Sequence, residues 1–279
     1  MYMKTPITYY GGKQQLVPTI LPMIPTHRLY VEPYFGGGAV FFAKRPSYLE
    51  VINDINENLM TFYYVVKHQL LFDHLYERVQ ETLHSEALYK KAKRIFFRTD
   101  PMVDSQVDIA WATWVLTNIS YSGSPVGGWK WDNGTAGSHT GIVMEHYREQ
   151  FTRKLHERLQ NVQISQRDAI EVIKQRDTAD TFFYLDPPYP GCNQKHYKGF
   201  TDKKLEELLV VLENIKGKFL LSNYARDVLV EKAQANEWYV FRKDMPLKVA
   251  NFHGNSRRKT EVLVCNYRPA QQEAQLFPE

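Results

Sequence analysis

The four residues Asp186 to Tyr189, Asp-Pro-Pro-Tyr, combine a carboxylate, two prolines and an aromatic ring directly after the apolar run Phe182 to Leu185. Proline has no N–H and restricts φ, so this turn is stiff and its carbonyl groups are left to accept hydrogen bonds from other partners. A carboxylate and a carbonyl match the two donors of a planar NH2 group, and Tyr189 offers a flat face to the ring that carries the amine. The motif predicts binding of an exocyclic amine, with Asp186, Pro187 and Tyr189 as the catalytic residues.

A glycine turn follows an earlier predicted strand in the stretch YVEPYFGGGAVFF, and it contains Gly36 and Gly38. Glycine lets the backbone approach a ligand closely, and the N–H groups of a following helix can face that ligand. The spacing is not G-x-G-x-x-G, which disfavours a dinucleotide site and a nicotinamide enzyme. A plain tight turn is the alternative interpretation of this stretch.

Two further acids follow predicted strands, namely Asp54 and Asp168. Asp54 lies roughly 18 residues beyond the glycine turn, where a carboxylate in an α/β nucleotide site often binds ribose hydroxyls. Each acid has a simpler alternative: Asp54 or Asn56 could cap the next helix, and Asp168 could cap its own. Because three strands end in a glycine turn or an acid, the pattern favours an adenosine-like cofactor over independent caps.

These motifs, in this order, resemble the Dam-like DNA adenine-N6 methyltransferases. The resemblance rests on YYGGK (9–13), EPYFGGGAVF (32–41), NDIN (53–56), RD (167–168) and DPPY (186–189), and continues through LLSNYA (220–225) and RRKTEVL (257–263). It implies site-specific transfer of a methyl group from S-adenosylmethionine (AdoMet) to the exocyclic amine of an adenine flipped out of double-stranded DNA. It also implies S-adenosylhomocysteine as the second product.

The resemblance assigns a role to each matching residue. Asp54 is expected to bind the ribose of AdoMet, Asp168 its adenine amine, and the glycine turn its methionine side, while Asp186 and Tyr189 face the target base. The full set of expected cofactor-binding residues is Tyr10, Gly12, Lys13, Phe35, Gly36, Gly38, Asp54, Asp168 and Asp186. No metal is expected, because the nine histidines are scattered without a ligand-type spacing.

The alternation of short apolar runs with helical stripes predicts an α/β fold. The resemblance specifies a Rossmann-like class I methyltransferase sheet, mostly parallel with an antiparallel last strand. The predicted strands are 29–33, 51–53, 162–165, 181–185, 219–222, 238–242 and 262–266. Helical stripes are predicted from Leu205 to Ile215, with Gly217 as the stop, and from Met144 to Leu159.

The strands near residues 51 and 162 are more than 100 residues apart, whereas a simple crossover needs about 30. The spacing therefore predicts an insertion. The resemblance implies that this insertion is a mainly helical target-recognition domain at 70–143, within a catalytic domain of residues 1–69 and 144–279. Within this insertion the known GATC-reading relatives have the word Asn-Ser-Lys-Gly-x-Phe-Asn-x-Pro. Here the region reads SYSGSPVGGWKWDNGT, so the resemblance does not extend to GATC specificity.

Several basic and aromatic residues are candidates for contact with DNA. The stretch NSRRKT at 255–260 suits phosphate binding, although a solvated loop is the alternative. Two tryptophans beside a lysine in the insertion suit a surface that touches a flat ligand. The expected DNA-binding residues are Lys13, Trp129, Lys130, Trp131, Arg257, Arg258 and Lys259.

Composition is compatible with these predictions without deciding between them. The net charge is +4 and the pI about 8.8, which permits a polyanionic partner. The two cysteines form neither a disulfide framework nor a CxxC pair, and no apolar signal segment or membrane span is evident. We expect a cytoplasmic, nucleoid-associated enzyme, monomeric or weakly dimeric, with duplex DNA and a cognate restriction endonuclease as its candidate partners.

Two alternatives remain open at this point. The same chemistry could act on RNA or on a protein glutamine amide, although the glutamine enzymes usually carry Asn where Asp186 stands. A nucleic-acid-binding module with an idle cofactor fold is the non-catalytic alternative, and the intact set of acids argues against it.

Overall fold

The computed structural model describes residues 2–9, 11–99, 105–134, 139–190, 200–246 and 258–269. Its strands are β1 Leu29–Glu32, β2 Leu49–Asn53, β3 Val162–Ser165, β4 Thr181–Leu185, β5 Lys218–Tyr224, β6 Tyr239–Pro246 and β7 Arg258–Cys265. They form one seven-stranded sheet in the order β3-β2-β1-β4-β5-β7-β6. The sheet is mostly parallel, and β7 is antiparallel to both of its neighbours. The predicted fold class is confirmed.

The helices flank the sheet and alternate with its strands over much of the chain. They are α1 Val17–Ile20, α2 Ala39–Ala43, α3 Glu57–Lys67, α4 Gln69–Gln80, α5 Glu86–Phe96, α6 Gln106–Ile119, α7 Thr140–Gln150, α8 Arg153–Leu159, α9 Ala169–Arg176, α10 Asp202–Leu212 and α11 Asp227–Ala235. Two 3-10 turns occur at Leu21–Met23 and Tyr121–Gly123. In the described ranges no helix is long and apolar enough to cross a membrane.

Two predicted helices differ from the observed ones at their ends. The stripe from Met144 to Leu159 is divided into α7 and α8, because Thr152 is extended, with φ −115° and ψ 164°. Helix α10 ends at Leu212 rather than Ile215. Beyond it the N–H groups of Lys216 and Gly217 donate to the carboxylate of Asp177 at 2.9 Å, which ties the chain to another loop and ends the helical path.

The chain divides into two compact units. Unit 1 consists of Met1–Val17, Phe35–Pro46 and Glu50–Arg167, and unit 2 of Pro18–Tyr34, Ser47–Leu49 and Asp168–Glu279. The predicted target-recognition segment 70–143 lies wholly within unit 1, and its bounds stay a prediction.

Unit 1 contains the neighbouring parallel strands β2 and β3, with most of the helices between them in sequence. Helix α6 is its central helix, because every residue from Ile109 to Ile119 is buried. A helix that is buried on all sides must be enclosed by other elements. Helices α3, α4, α5 and α7 all contact α6, so the long connection from β2 to β3 contributes a helical core of its own.

Unit 2 is organised around β4, whose five residues are all buried. A near-continuous apolar run is typical of a strand that is covered on both faces. Strand β4 pairs in parallel with β1 and β5, and β5 pairs antiparallel with β7. This pairing places Asp186 immediately beyond the carboxyl end of the central strand, where ligands bind in open α/β sheets.

Candidate active site

The glycine turn of unit 1 requires glycine at two of its positions. Gly36 has φ +49° and Gly38 has φ +67°, values that residues with a Cβ rarely adopt. A Cβ on Gly38 would stand 2.5 Å from the ring of Phe35, which is itself buried against Phe41 and Tyr63. The side chain of Phe35 therefore packs in the core and supports the turn from behind.

Replacing Gly38 with alanine should destabilise the protein by about 2–4 kcal/mol, since a left-handed φ costs roughly 1–2 kcal/mol and the ring of Phe35 must move as well. Chemical denaturation followed by circular dichroism measures this change. Gly134→Ala is the matched control, because Gly134 has φ +79° with no atom within 4 Å of its added Cβ. If both variants lost the same free energy of unfolding, the contact between the added Cβ and the ring of Phe35 would not contribute to the effect.

Tyr9 covers this turn and was missed by the sequence analysis. A Cβ on Gly36 would meet its ring at 3.1 Å, and one on Gly37 would meet its Cβ at 3.0 Å. The segment before Tyr9 is held by helix α6, because the N–H of Thr8 donates to Asn118 Oδ1 at 3.0 Å. The adjacent aromatics in YYGGK were the only signal. The predicted neighbour Tyr10 lies outside the described residues.

Asp54 is a buried carboxylate, 4% exposed, that is bonded to the glycine turn. Its Oδ2 accepts from the N–H of Gly36 and its Oδ1 from that of Asn56, both at 3.0 Å. Asn56 is the residue that caps α3, because its side chain accepts from the N–H of Leu59 at 3.2 Å. Helix capping therefore does not explain Asp54. Burial raises the pKa of Asp54, although its backbone hydrogen bonds act in the opposite direction.

Asn53 organises the same region and was also missed. Its side chain pairs with the backbone of Arg167, donating to the carbonyl at 3.0 Å and accepting from the N–H at 2.9 Å. Its own carbonyl accepts from the N–H of Phe35 at 2.9 Å. One fully buried residue at the end of β2 thus fixes both the glycine turn and the loop that follows β3.

The other predicted residues of unit 1 belong to the YYGGK segment. The N–H of Gly12 donates to the carbonyl of Tyr9 at 3.0 Å. Lys13 is only 7% exposed, and its Nζ donates to the carbonyl of Gly11 at 3.1 Å. This burial favours the predicted cofactor role of Lys13 over the predicted contact with DNA phosphate.

In unit 2, Asp168 caps helix α9 by accepting from the N–H of Ile170 at 2.8 Å. Its side chain is exposed. The capping interpretation of this acid is therefore correct, and a cap at the N-terminus of a helix is compatible with a further hydrogen bond from a ligand.

The predicted catalytic residues follow β4 in unit 2. Pro187 is buried, whereas Asp186 and Tyr189 are partly exposed. The Tyr189 hydroxyl lies 3.3 Å from Asp186 Oδ1 and hydrogen-bonds to Glu261 on β7. The ring of Tyr224 meets that of Tyr189 edge to face, with centroids 4.4 Å apart. Burial, then the charges of Asp186 and Glu261, raise the pKa of Tyr189 well above its usual value, so the phenol stays protonated.

The predicted DNA-binding residues have different environments. Trp129 stacks on His84, with centroids 5.3 Å apart, whereas Trp131 is 55% exposed. Lys130 is partly exposed, and its backbone carbonyl accepts from His84 at 2.9 Å. Arg257 lies outside the described residues, and Arg258 and Lys259 are described only as backbone in β7. In the described ranges no group of His, Cys, Asp and Glu residues could hold a metal ion.

Comparisons with known proteins identify the chemistry. Residues 9–253 match the family described as D12 class N6 adenine-specific DNA methyltransferase. The type II methyltransferase M.MjaIII of Methanocaldococcus jannaschii is 27% identical over 96% of this chain and 100% of its own length. The type II methyltransferase M1.LlaDCHI of Lactococcus lactis subsp. cremoris is 26% identical over 92% of this chain and 93% of its own length. The DNA adenine methylase of Salmonella typhi is 23% identical over 94% of this chain and 95% of its own length. The family's substrate is DNA, which disfavours the RNA, glutamine and non-catalytic alternatives. The chain belongs to the D12 class family and is an adenine-specific DNA methyltransferase.

Proposed function

We propose that the chain binds AdoMet as its methyl donor, with Asp54 as the residue that accepts from the ribose hydroxyls. The observation that carries the proposal is that Asp54 is buried and bonded to the glycine turn, while Asn56 performs the capping. A carboxylate has about four acceptor sites, so the two N–H bonds leave capacity for hydroxyl groups. The residues present therefore fit the cofactor.

The remaining predicted cofactor residues complete this proposal. Asp168 accepts from the adenine amine at the start of α9, and Gly36 and Gly38 allow the backbone to approach the methionine portion. Tyr10, Gly12 and Lys13 close over the cofactor, and we add Tyr9 to them because its side chain covers the turn. When bound, AdoMet supplies an electrophilic methyl group on a sulfonium.

Asp186 and a backbone carbonyl at Pro187 accept the two N–H bonds of the target amine. The lone pair of an adenine amine is delocalised into the ring, so the neutral nitrogen is a poor nucleophile. Two acceptors draw the N–H bonds out of conjugation and make the lone pair available for attack. Asp186 does not ionise the amine beforehand, because an aromatic amine is far too weak an acid; the proton leaves after the N–C bond has formed.

The target adenine leaves the duplex before it reaches these residues, since its amine is inaccessible in the base stack. Flipping costs a few kcal/mol. Stacking of the flipped adenine on the Tyr189 ring offsets about 1–3 kcal/mol of this free energy. Phosphate contacts supply the remainder, and Arg257, Arg258 and Lys259 are the residues proposed for them.

We further propose that segment 70–143 is the target-recognition domain, with Trp131 as its base-contacting aromatic. Trp131→Ala should raise the Kd for duplex DNA about 5- to 150-fold, which corresponds to the loss of roughly 1–3 kcal/mol of stacking. Fluorescence anisotropy with a labelled duplex measures this affinity. Trp129→Ala is the comparison variant: Trp129 stacks on His84, so its loss should lower thermal stability instead. Unchanged DNA affinity in Trp131→Ala would remove Trp131 from the interface.

The proposed substrate is tested by competition between duplex DNA and RNA in a tritiated-methyl transfer assay. We expect label in duplex DNA, recovered as N6-methyladenine after digestion. Label in RNA would contradict the proposal, and failure of the protein to bind AdoMet by calorimetry would contradict the assigned cofactor.

The named relatives include type II methyltransferases, which supports a role in restriction and modification beside a cognate endonuclease. We propose that the chain protects one specific sequence in the cell's own DNA, as a monomer or weak dimer in the cytoplasm. Single-molecule sequencing of DNA methylated by the purified protein identifies that sequence. Methylation of adenines without a common sequence would contradict this role.

A further inference from the structure

A second buried acid of unit 2 lies beside the motif that follows β4. Glu261 on β7 is 7% exposed, and Ser222 on β5 is fully buried. One oxygen of Glu261, Oε1, accepts from the hydroxyl of Ser222 at 2.8 Å and from the hydroxyl of Tyr189. The Tyr189 hydroxyl therefore has a carboxylate on either side, because Asp186 Oδ1 is 3.3 Å away.

A phenol hydroxyl has a single proton and can donate it to only one of these two acids. Asp186 Oδ1, at 3.3 Å, lies beyond the usual range of an O–H···O hydrogen bond, so the Tyr189 hydroxyl is assigned as the donor to Glu261. Ser222 lies 3.2 Å from the Tyr189 hydroxyl and donates to the same oxygen of Glu261, so both hydroxyls point at one acceptor. A proton donated instead to Asp186 would occupy an acceptor site that the target amine requires.

Strand pairing fixes this arrangement. Tyr224 of β5 is the register partner of Glu261, and the ring of Tyr224 packs edge to face against that of Tyr189. Tyr189 is thus held at two points: Glu261 accepts from its hydroxyl, and Tyr224 packs against its ring. A buried carboxylate is unfavourable unless it accepts hydrogen bonds, and Glu261 accepts those of two hydroxyls.

We infer that Glu261 is a positioning residue for methyl transfer: it accepts the hydrogen bond of the Tyr189 hydroxyl and so directs that hydroxyl away from Asp186. The inference rests on the proposed roles of Asp186 and Tyr189. It assigns a function to the RRKTEVL segment that is separate from its proposed phosphate contacts. Glu261 acts through the Tyr189 hydroxyl and does not touch the substrate.

A double-mutant cycle tests this assignment. Glu261→Gln should lower kcat about tenfold, because a charged acceptor is replaced by a weaker neutral one, while the KM for AdoMet stays unchanged. In a Tyr189→Phe background, which lacks the hydroxyl, the same substitution should change kcat less than about twofold. Glu213→Gln is the control for loss of one negative charge, since Glu213 pairs with Lys232 near the surface.

The outcomes separate the inference from the function on which it rests. Equal losses of kcat from Glu261→Gln in the wild-type protein and in Tyr189→Phe, or an unchanged kcat when Glu261→Gln is made in the wild-type protein, would overturn the positioning role. If circular dichroism shows that Glu261→Gln does not fold, Glu261→Asp replaces it in the same cycle. The aspartate keeps the negative charge, but its side chain is one methylene shorter, so the carboxylate lies farther from the Tyr189 hydroxyl. An active Asp186→Ala variant would instead contradict the proposed function, whatever the cycle shows.

Discussion

Replacing Asp186 with alanine should lower kcat by about 1,000-fold or more while AdoMet binding remains measurable. Removal of one preorganised hydrogen-bonding group from a transition state costs about 100- to 1,000-fold. Here the loss is at the upper end, because only the carbonyl at Pro187 remains to localise the amine lone pair. Tritiated-methyl transfer to duplex DNA measures kcat, and calorimetry measures AdoMet binding in the same preparation.

Two further variants distinguish an acceptor from an obligatory base. Asp186→Asn keeps one carbonyl acceptor and should retain more activity than Asp186→Ala, whereas a required base would leave both equally inactive. Asp180→Ala is the matched control, because Asp180 is an exposed aspartate that precedes the other end of β4. Full activity in Asp186→Ala would refute the proposed mechanism.

Asp54→Ala should weaken AdoMet binding by about 100-fold or more, since a hydrogen bond to a charged acceptor contributes about 1.5–3 kcal/mol and two are proposed. The KM for AdoMet should rise, while kcat at saturating AdoMet should change little. Asp73→Ala is the control within unit 1, because Asp73 makes surface contacts, an ion pair with Arg153 and a hydrogen bond from Gln69. Unchanged AdoMet affinity in Asp54→Ala would exclude Asp54 from the cofactor site. Asp54→Asn keeps one acceptor if the alanine variant does not fold.

The raised pKa of Asp54 gives this prediction a pH dependence. Ribose hydroxyls donate to the ionised carboxylate, so binding favours that form and weakens once the group takes up a proton. Because the pKa lies above that of an ordinary aspartate, AdoMet affinity should fall on mild acidification, before exposed acids titrate. Calorimetry from neutral to mildly acidic pH should show AdoMet affinity falling in the wild-type protein. In Asp54→Asn the affinity should depend less on pH.

The sequence was sufficient for the position of each strand in the chain and for the family. Val162–Ser165 and Thr181–Leu185 were predicted with the observed bounds. The second is a fully buried parallel strand, which is a short apolar run closed by turn residues. Asp186 was singled out because a carboxylate beside two prolines has few structural roles, and its catalytic role stays a prediction. These features depend on residues that are close together in the chain.

The residues that sequence reasoning missed depend on contacts between distant segments. Asn53 bonds to Arg167 across more than 100 residues, and Tyr189 bonds to Glu261 across 72. Neither Asn53 nor Glu261 belongs to a pattern that reveals its partner. The break between α7 and α8 was missed for a related reason. The apolar residues of the two helices keep a helical spacing across the extended Thr152, so their pattern predicts one continuous helix.

The adjacency of β2 and β3 has a consequence for how such enzymes diversify. The connection leaves β2 after Asn53 and enters the neighbouring strand β3 at Val162, the register partner of Glu50, so both of its ends are fixed on adjacent strands. The entropy of closing a flexible connection grows only logarithmically with its length, so doubling it costs about 0.6 kcal/mol. A segment anchored in this way can be lengthened, shortened or exchanged between paralogues at small thermodynamic cost. Because we propose that segment 70–143 selects the target sequence, recombination at these two junctions would change the specificity without redesign of the strand ends proposed for the chemistry.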